Sequence, residues 1–479
     1  MNISNKIMLI TYPDSIGGNL VTLRNVLKEY FEDAVGGIHI LPFFPSSGDR
    51  GFSPITYESV EPAFGNWDDV KKLSETYYLM CDVMVNHVSK RSKEFLDYLE
   101  KGEASPFADM FLDYEQFWGE GRPDERDINL LYRRKDGEPY QSFVRADGKT
   151  VKLWCTFTNE QIDLDLRTET AKQYLRENFN HLALNGISII RLDALGYVVK
   201  KRDTSCFMVE PDIWNVIDEI TGMAGDRAWL LPEIHDTWET AKKLEDHHVW
   251  SYDFVLPFLM LHAIYTGDTK KLAGWLKVAP RTQFTVLDTH DGIGVYDAYD
   301  WVDEEEAAAL IERIEDRLSY QYKPLNPEKK RFKKAYQLYT TYFSALHENE
   351  KAYLLARAVQ FFAPGIPQVY YVGMLAGEND YVALEQSEDH RSINRHNYTV
   401  EEIRDCAQRE VVKKLRSLMQ FRNTFGAFDG DLEVTVPSEG ILIMRRTAND
   451  KWAELICNFA DLDFSICYME QGTTQRLKF

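Results

Sequence analysis

Eight short apolar runs, mostly separated by helix-length amphipathic segments, restrict this chain's fold more than any other feature. They span residues 7–12, 37–43, 78–85, 187–192, 229–234, 250–256, 284–287 and 367–372. Most carry β-branched or aromatic residues and end in polar or turn residues, as strands buried on both faces do. Eight such strands alternating with helices predict a (β/α)8 barrel, an α/β fold whose working end is the C-terminal end of its strands. That rule says where polar residues belong.

They fall there. The third run ends in Asp82, Asn86 and His87, and the fourth in Arg191 and Asp193. The fifth ends in Glu233 and His235, and the seventh in Asp288, His290 and Asp291. A charged pair closing an apolar strand is costly to bury unless its members compensate each other. Taken alone, Arg191 and Asp193 read equally well as a structural ion pair or as a carboxylate held ionised for nucleophilic work. Recurrence at four strand ends favours the functional reading.

Two intervals exceed an ordinary loop. Residues 87–166 are rich in aromatics, charges and turn signals and read as a subdomain inserted over the barrel mouth. Residues 292–349 hold an acidic helical stretch and a basic one, EKKRFKK, and read as a second insert. Solvated helix faces are the default for both charge runs. From about residue 425 the pattern alternates polar and apolar, which predicts a small C-terminal antiparallel β domain. The barrel is therefore assigned to 1–86, 167–291 and 350–424, and the β domain to 425–479.

The balance of 55 Lys and Arg against 76 Asp and Glu gives a net charge of −21, which argues against nucleic acid or anionic membrane partners. The six cysteines are scattered without CxxC spacing and read as buried reduced thiols. The first residues carry no signal-peptide pattern, and no stretch is apolar enough to span a bilayer, so a cytoplasmic location is expected. His247 and His248 beside Asp246 lack a convergent ligand set for a metal. The GIG at 292–294 reads as a tight turn rather than a phosphate loop.

Three carboxylates at strand ends, each beside a histidine or arginine, suit glycosidic bond chemistry, which needs a nucleophile and a proton donor. Asp193 has the cationic neighbour. Glu233 lies in LLPEIH, an apolar setting expected to raise its pKa and suit a general acid/base. Asp291 is placed to stabilise developing positive charge, and His87 and His290 to serve as neutral donors to sugar hydroxyls.

The motifs DVMVNH (82–87), RLDALGY (191–197), PEIH (232–235) and LDTHDG (287–292) resemble the α-amylase superfamily of retaining α-glucosidic enzymes. LPFFPSSGDRGFSPITY, DTSCFMVEPDIW, FFAPGIPQVYYVG and INRHNY narrow the resemblance to the sucrose phosphorylase family, over nearly the whole chain. The resemblance implies a double displacement. The glucosyl group of an α-glucoside such as sucrose passes to Asp193, and inorganic phosphate releases it as α-glucose 1-phosphate. Glu233 then acts as acid/base and Asp291 as transition-state stabiliser. Asp49, Phe52, His87, Arg191, His290, Asp291 and Arg395 match the family's glucose pocket, walled by Phe157 and Gln161. No metal or organic cofactor is implied. The partners are small-molecule substrates, and a homodimer is the commonest form for soluble enzymes.

On the acceptor side Lys135, His235, Tyr336 and Gln337 match positions that bind fructose or phosphate. Where sucrose phosphorylases usually carry an aspartate two residues before the tyrosine, this chain has Lys334. That change, with KAYQLYTTY and PEIHD, leans toward relatives acting on glucosylglycerol. Arg134 and Lys334 would suit a phosphorylated acceptor, although Tyr336 weighs against it. A hydrolase could use the same three carboxylates with water. A sugar-binding barrel without catalysis is disfavoured because Asp193, Glu233 and Asp291 are all present.

Overall fold

The computed structural model describes residues 3–315, 335–387, 389–470 and 472–477. Each of the eight apolar runs overlaps a strand: β1 (Met8–Thr11), β2 (Gly37–Ile40), β3 (Tyr78–Met84), β4 (Ile187–Asp193), β5 (Trp229–Pro232), β6 (Ser251–Asp253), β7 (Gln283–Thr285) and β8 (Ile366–Tyr370). They make one eight-stranded sheet in the order β6-β7-β8-β1-β2-β3-β4-β5. Sequence neighbours lie side by side and β8 pairs parallel with β1, which is the strand order of a (β/α)8 barrel.

The sixth run is strand for only three residues. Asp253 ends it, because its Oδ1 accepts from the backbone N–H of Val255 and Leu256 and starts the helix Leu256–Thr266. That helix is buried from Leu256 to Ala263, so its apolar residues carry no periodicity to separate it from a buried strand.

Within residues 40–234, one compact unit, β3 and β4 pair in parallel with Asp82 opposite Arg191 and Met84 opposite Asp193. β5 continues the ladder with Leu231 opposite Arg191. Between β3 and β4 the chain forms a hairpin, Tyr140–Val144 with Thr150–Trp154. It also forms a short ladder, His87–Ser89 with Gln161–Asp163. Leu112, Tyr114, Phe117, Trp118, Leu131, Trp154 and Cys206 bury one another in a satellite core, which explains the aromatic richness of this stretch.

The second unit holds residues 3–39 and those from 235 onward. Gly292–Gly294 is not a simple turn: Ile293–Gly294 pairs antiparallel with Gln337–Leu338. Gly292 has φ +109°, and a Cβ there would lie 2.2 Å from the Leu338 carbonyl oxygen, so only glycine fits. The acidic stretch is the helix Glu304–Glu315. EKKRFKK and Lys334 lie outside the described residues.

The tail forms five antiparallel strands, β9 (Asp431–Ser438), β10 (Ile441–Ala448), β11 (Lys451–Asn458), β12 (Asp463–Glu470) and β13 (Thr473–Arg476). Leu442, Met444 and Arg446 of β10, and Ala453, Leu455 and Cys457 of β11, form its buried face. Four cysteines are buried, while Cys406 and Cys467 are half-exposed; none forms a disulfide. Among the described residues no helix is long and apolar enough to cross a membrane.

Candidate active site

Arg191 organises the first unit's polar centre. The register of β3 and β4 sets it level with Asp82, and its Nη1 donates to that buried carboxylate. The same nitrogen lies 3.1 Å from Asp193 Oδ1, and Nη2 lies 2.8 Å from Glu233 Oε1. The guanidinium is 4% exposed, and Asp193 and Glu233 are 14% and 15% exposed, so the shared cation is dry while both carboxylates can be reached. Beyond Asp193 the chain turns sharply through Ala194, at φ +58°, into the short 3-10 helix Leu195–Tyr197. The Ala194 N–H donates to Glu233 Oε2 at 3.4 Å, a second tie between the two strand ends.

This geometry corrects one expectation. Glu233 is not in apolar surroundings alone, because its carboxylate meets the guanidinium of Arg191 on the neighbouring strand. The deciding neighbour comes from the adjacent strand, so the residues beside Glu233 in sequence do not report its environment.

The carbonyl oxygen of Phe52 accepts from His87 Nε2 at 3.1 Å and from Gln161 Nε2 at 2.9 Å. A carbonyl can only accept, so the His87 proton resides on Nε2. Burial pushes the His87 pKa below its ordinary value, against the opposing charges of Asp163 and Asp49, and keeps the ring neutral. The Phe52 ring lies 5.9 Å from the Arg191 guanidinium. Asp49 opens the 3-10 turn Asp49–Gly51 with a left-handed φ of +49°.

Phe157 stands 5.4 Å from the His87 ring and 5.0 Å from Tyr197. Arg134 lies 5.8 Å from both the Phe157 and Tyr197 rings, a cation–π arrangement. Lys135 instead donates to Asn159 Oδ1 at 2.7 Å, and burial pulls its pKa below the ordinary lysine value.

The second unit carries its own polar centre after β7. Asp291 Oδ2 lies 3.3 Å from His290 Nε2, and Oδ1 lies 3.2 Å from Arg391 and 3.6 Å from Arg395. Arg395 Nε donates to the His290 carbonyl at 2.8 Å and Nη1 to Asp389 at 3.3 Å. Sequence reasoning found Arg395 but missed Arg391 and Asp389, which share the same turn four and six positions earlier. Their signal was the charge density of EDHRSINRH.

His235 stacks on Phe254 at 4.0 Å, and its Nδ1 meets Asp297 Oδ2 at 3.1 Å. Tyr336 approaches to 5.3 Å, and Gln337 pairs with Gly294 in the short ladder. Three of the four expected acceptor-side residues, His235, Tyr336 and Gln337, thus belong to the second unit, and Lys135 to the first.

Comparison with known proteins points one way. Residues 25–280 match the model of the α-amylase catalytic domain. The chain is 46% identical, over 98% of its length and 99% of the relative's, to a sucrose phosphorylase from Streptococcus mutans. It is 40% identical to a glucosylglycerol phosphorylase from Marinobacter adhaerens, over the full length of both. The crystal structure of a sucrose 6F-phosphate phosphorylase from Thermoanaerobacter thermosaccharolyticum superposes with a TM-score of 0.96 at 41% identity. That match covers 100% of this chain and 99% of the other.

Proposed function

The chain belongs to the α-amylase family, and from that premise we propose that it is a retaining α-glucoside phosphorylase with sucrose as its donor. The observation that carries the reading is the single buried guanidinium of Arg191, which holds the carboxylates of Asp193 and Glu233 at adjacent strand ends. A retaining enzyme needs two carboxyl groups close together on the reacting bond, one ionised and one able to carry a proton.

Asp193 attacks the anomeric carbon of the glucosyl unit as the bond to the leaving oxygen breaks. Glu233 delivers a proton to that oxygen, and fructose departs. An ester between glucose and Asp193 remains. A phosphate oxygen then attacks the same carbon, the ester bond breaks, and Glu233 takes up the acceptor's proton. Two inversions return the α configuration as glucose 1-phosphate. Arg191 stabilises the carboxylate form of Asp193 before attack and after release. Asp291 is the third carboxylate, opposing the positive charge that develops on the sugar ring. Asp49, Phe52, His87, Phe157, Gln161, His290 and Arg395 bind the glucosyl unit. Arg134, Lys135, His235, Tyr336 and Gln337 serve the departing and incoming groups, with segments 87–166 and 292–349 as the subdomains that bring most of them. Six cysteines without a disulfide suit a reducing, cytoplasmic setting.

Lys334 in place of an acceptor-side aspartate favours a second reading, in which the native donor is 2-O-α-glucosylglycerol. Glucose 1-phosphate release is therefore measured with phosphate and sucrose, sucrose 6-phosphate or glucosylglycerol. Fast release from sucrose supports the first reading. Fast release only from glucosylglycerol moves the assignment to the second. Free glucose from every donor, indifferent to phosphate, would make the protein a hydrolase.

A further inference from the structure

Lys200 lies seven residues beyond the proposed nucleophile and belongs to none of the motifs that identify the family, yet it is almost fully buried. Its side chain is 5% exposed, and its ammonium makes three contacts. It donates to the Tyr197 carbonyl at 2.5 Å and to Asn86 Oδ1 at 3.2 Å, and it pairs with Asp163 Oδ2 at 3.0 Å. Two N–H donors are therefore hydrogen-bonded, and the charge is met by a carboxylate. The face of Trp154 lies 5.6 Å below the charge.

The three acceptors belong to three separate segments, and each carries a residue of the proposed glucose site. Tyr197 ends the short helix that follows Asp193 and packs its ring against Phe157. Asn86 directly precedes His87 on the chain. Asp163 sits opposite His87 in the two-stranded ladder and lies two residues after Gln161. Its carboxylate also accepts from the Thr156 N–H at 3.0 Å and from the Thr156 hydroxyl, which fixes the residue before Phe157. Asp163 is 1% exposed, so Lys200 and Asp163 form a desolvated pair whose members each need the other.

We propose that Lys200 is a positioning residue. Its ammonium sets Asp193, His87, Phe157 and Gln161 in mutual register without touching substrate. The proposal rests on the phosphorylase reading above. Two hydrogen bonds and one ion pair from a single buried charge tie three segments together, and misplacement of about 1 Å can cost about a hundredfold in rate.

The test compares Lys200→Met and Lys200→Arg with the wild type, using sucrose and α-glucosyl fluoride as donors and inorganic phosphate as acceptor. Fluoride leaves without a proton, so it isolates glucose positioning from acid catalysis. Lys200→Met is expected to lower kcat/KM for both donors by a common factor of about a hundred. The partition of the glucosyl-enzyme between phosphate and water should change far less than kcat/KM, because Lys200 reaches the acceptor side only through Arg134, which stacks on Phe157 and Tyr197. Lys200→Arg, which keeps the charge, should recover part of the loss. Should the Met variant fail to fold, Lys200→Arg alone reads the same two quantities, because its planar fork cannot reach all three acceptors in the same geometry. A lowered melting temperature with unchanged kcat/KM would reduce Lys200 to a structural role and overturn the proposal. So would a loss confined to sucrose, or a partition ratio shifted as far as kcat/KM. A wild type inert toward every donor would instead sink the phosphorylase reading and this inference with it.

Discussion

Arg191 and Glu233 are ion-paired at 2.8 Å across two adjacent barrel strands, and the same guanidinium reaches Asp193. Glu233 is thus held against a fixed cation in the free protein, yet the first chemical step requires it to give up a proton. Replacing it with glutamine removes the proton donor and leaves the shape. We expect Glu233→Gln to lower kcat on sucrose by about 10²–10⁴-fold, the usual value of general acid catalysis. On α-glucosyl fluoride the loss in the first step should be far smaller. Equal losses on both donors would remove Glu233 from the acid role.

Asp193→Asn should leave the barrel folded and abolish turnover, because the amide can neither attack nor accept the glucosyl group. Circular dichroism and product release measure the two halves of that statement separately. In a complex with substrate, the carboxyl groups of Asp193 and Glu233 are expected about 5–5.5 Å apart, the retaining separation. Retained activity in the variant would refute the nucleophile assignment.

Behind the His290–Asp291 turn, Arg357 pairs with Asp288 at 2.7 Å with neither side chain exposed. Arg357 also donates to Gln360 and to the Tyr353 hydroxyl, and the other Asp288 oxygen accepts from the Tyr342 N–H. Arg357→Met strands a buried carboxylate, so a loss of about 3–5 kcal/mol is expected in chemical denaturation. The double variant Arg357→Met with Asp288→Leu should recover much of it, since an apolar pair leaves no unmatched charge.

Acid sensitivity has a local source in the segment between β3 and β4. The Arg122 side chain bonds to buried Asp127 and pulls its carboxyl down to about 2. A carboxyl lowered by folding stabilises the native state above its unfolded value, and that contribution is lost as pH falls through the folded one. The wild type should therefore lose stability between about pH 4 and pH 2, the interval between an ordinary aspartate and this one. Arg122→Met should be less stable at pH 6, and its deficit should shrink across that interval. A deficit independent of pH would show that the pair contributes packing alone.

The eight strands and the four polar strand ends were legible because their signals are local. A buried parallel strand is a short apolar run, and the barrel places chemistry at one defined end of it. Asp193, Glu233 and Asp291 could be picked out before any coordinates because each closes such a run. Their surroundings could not. Glu233 is preceded by leucine, leucine and proline in sequence but meets Arg191 in space, because the neighbouring strand brings that guanidinium to it. The run 250–256 is strand only to Asp253, because that carboxylate accepts from the Val255 and Leu256 N–H groups and turns the chain into a helix.

By itself, then, the sequence determined the barrel, the order of its strands and the residue types at their ends. Only the tertiary structure decided which charges meet. Lys200 finds Asp163 on another segment, and Arg191 finds Asp82 across 109 positions. Ion pairs form between groups brought close by the register of different strands, and a lone lysine or aspartate in a sequence carries no mark of its partner. Hydrophobic pattern is written along the chain, whereas electrostatic pairing depends on distance in space, which the chain acquires only by folding.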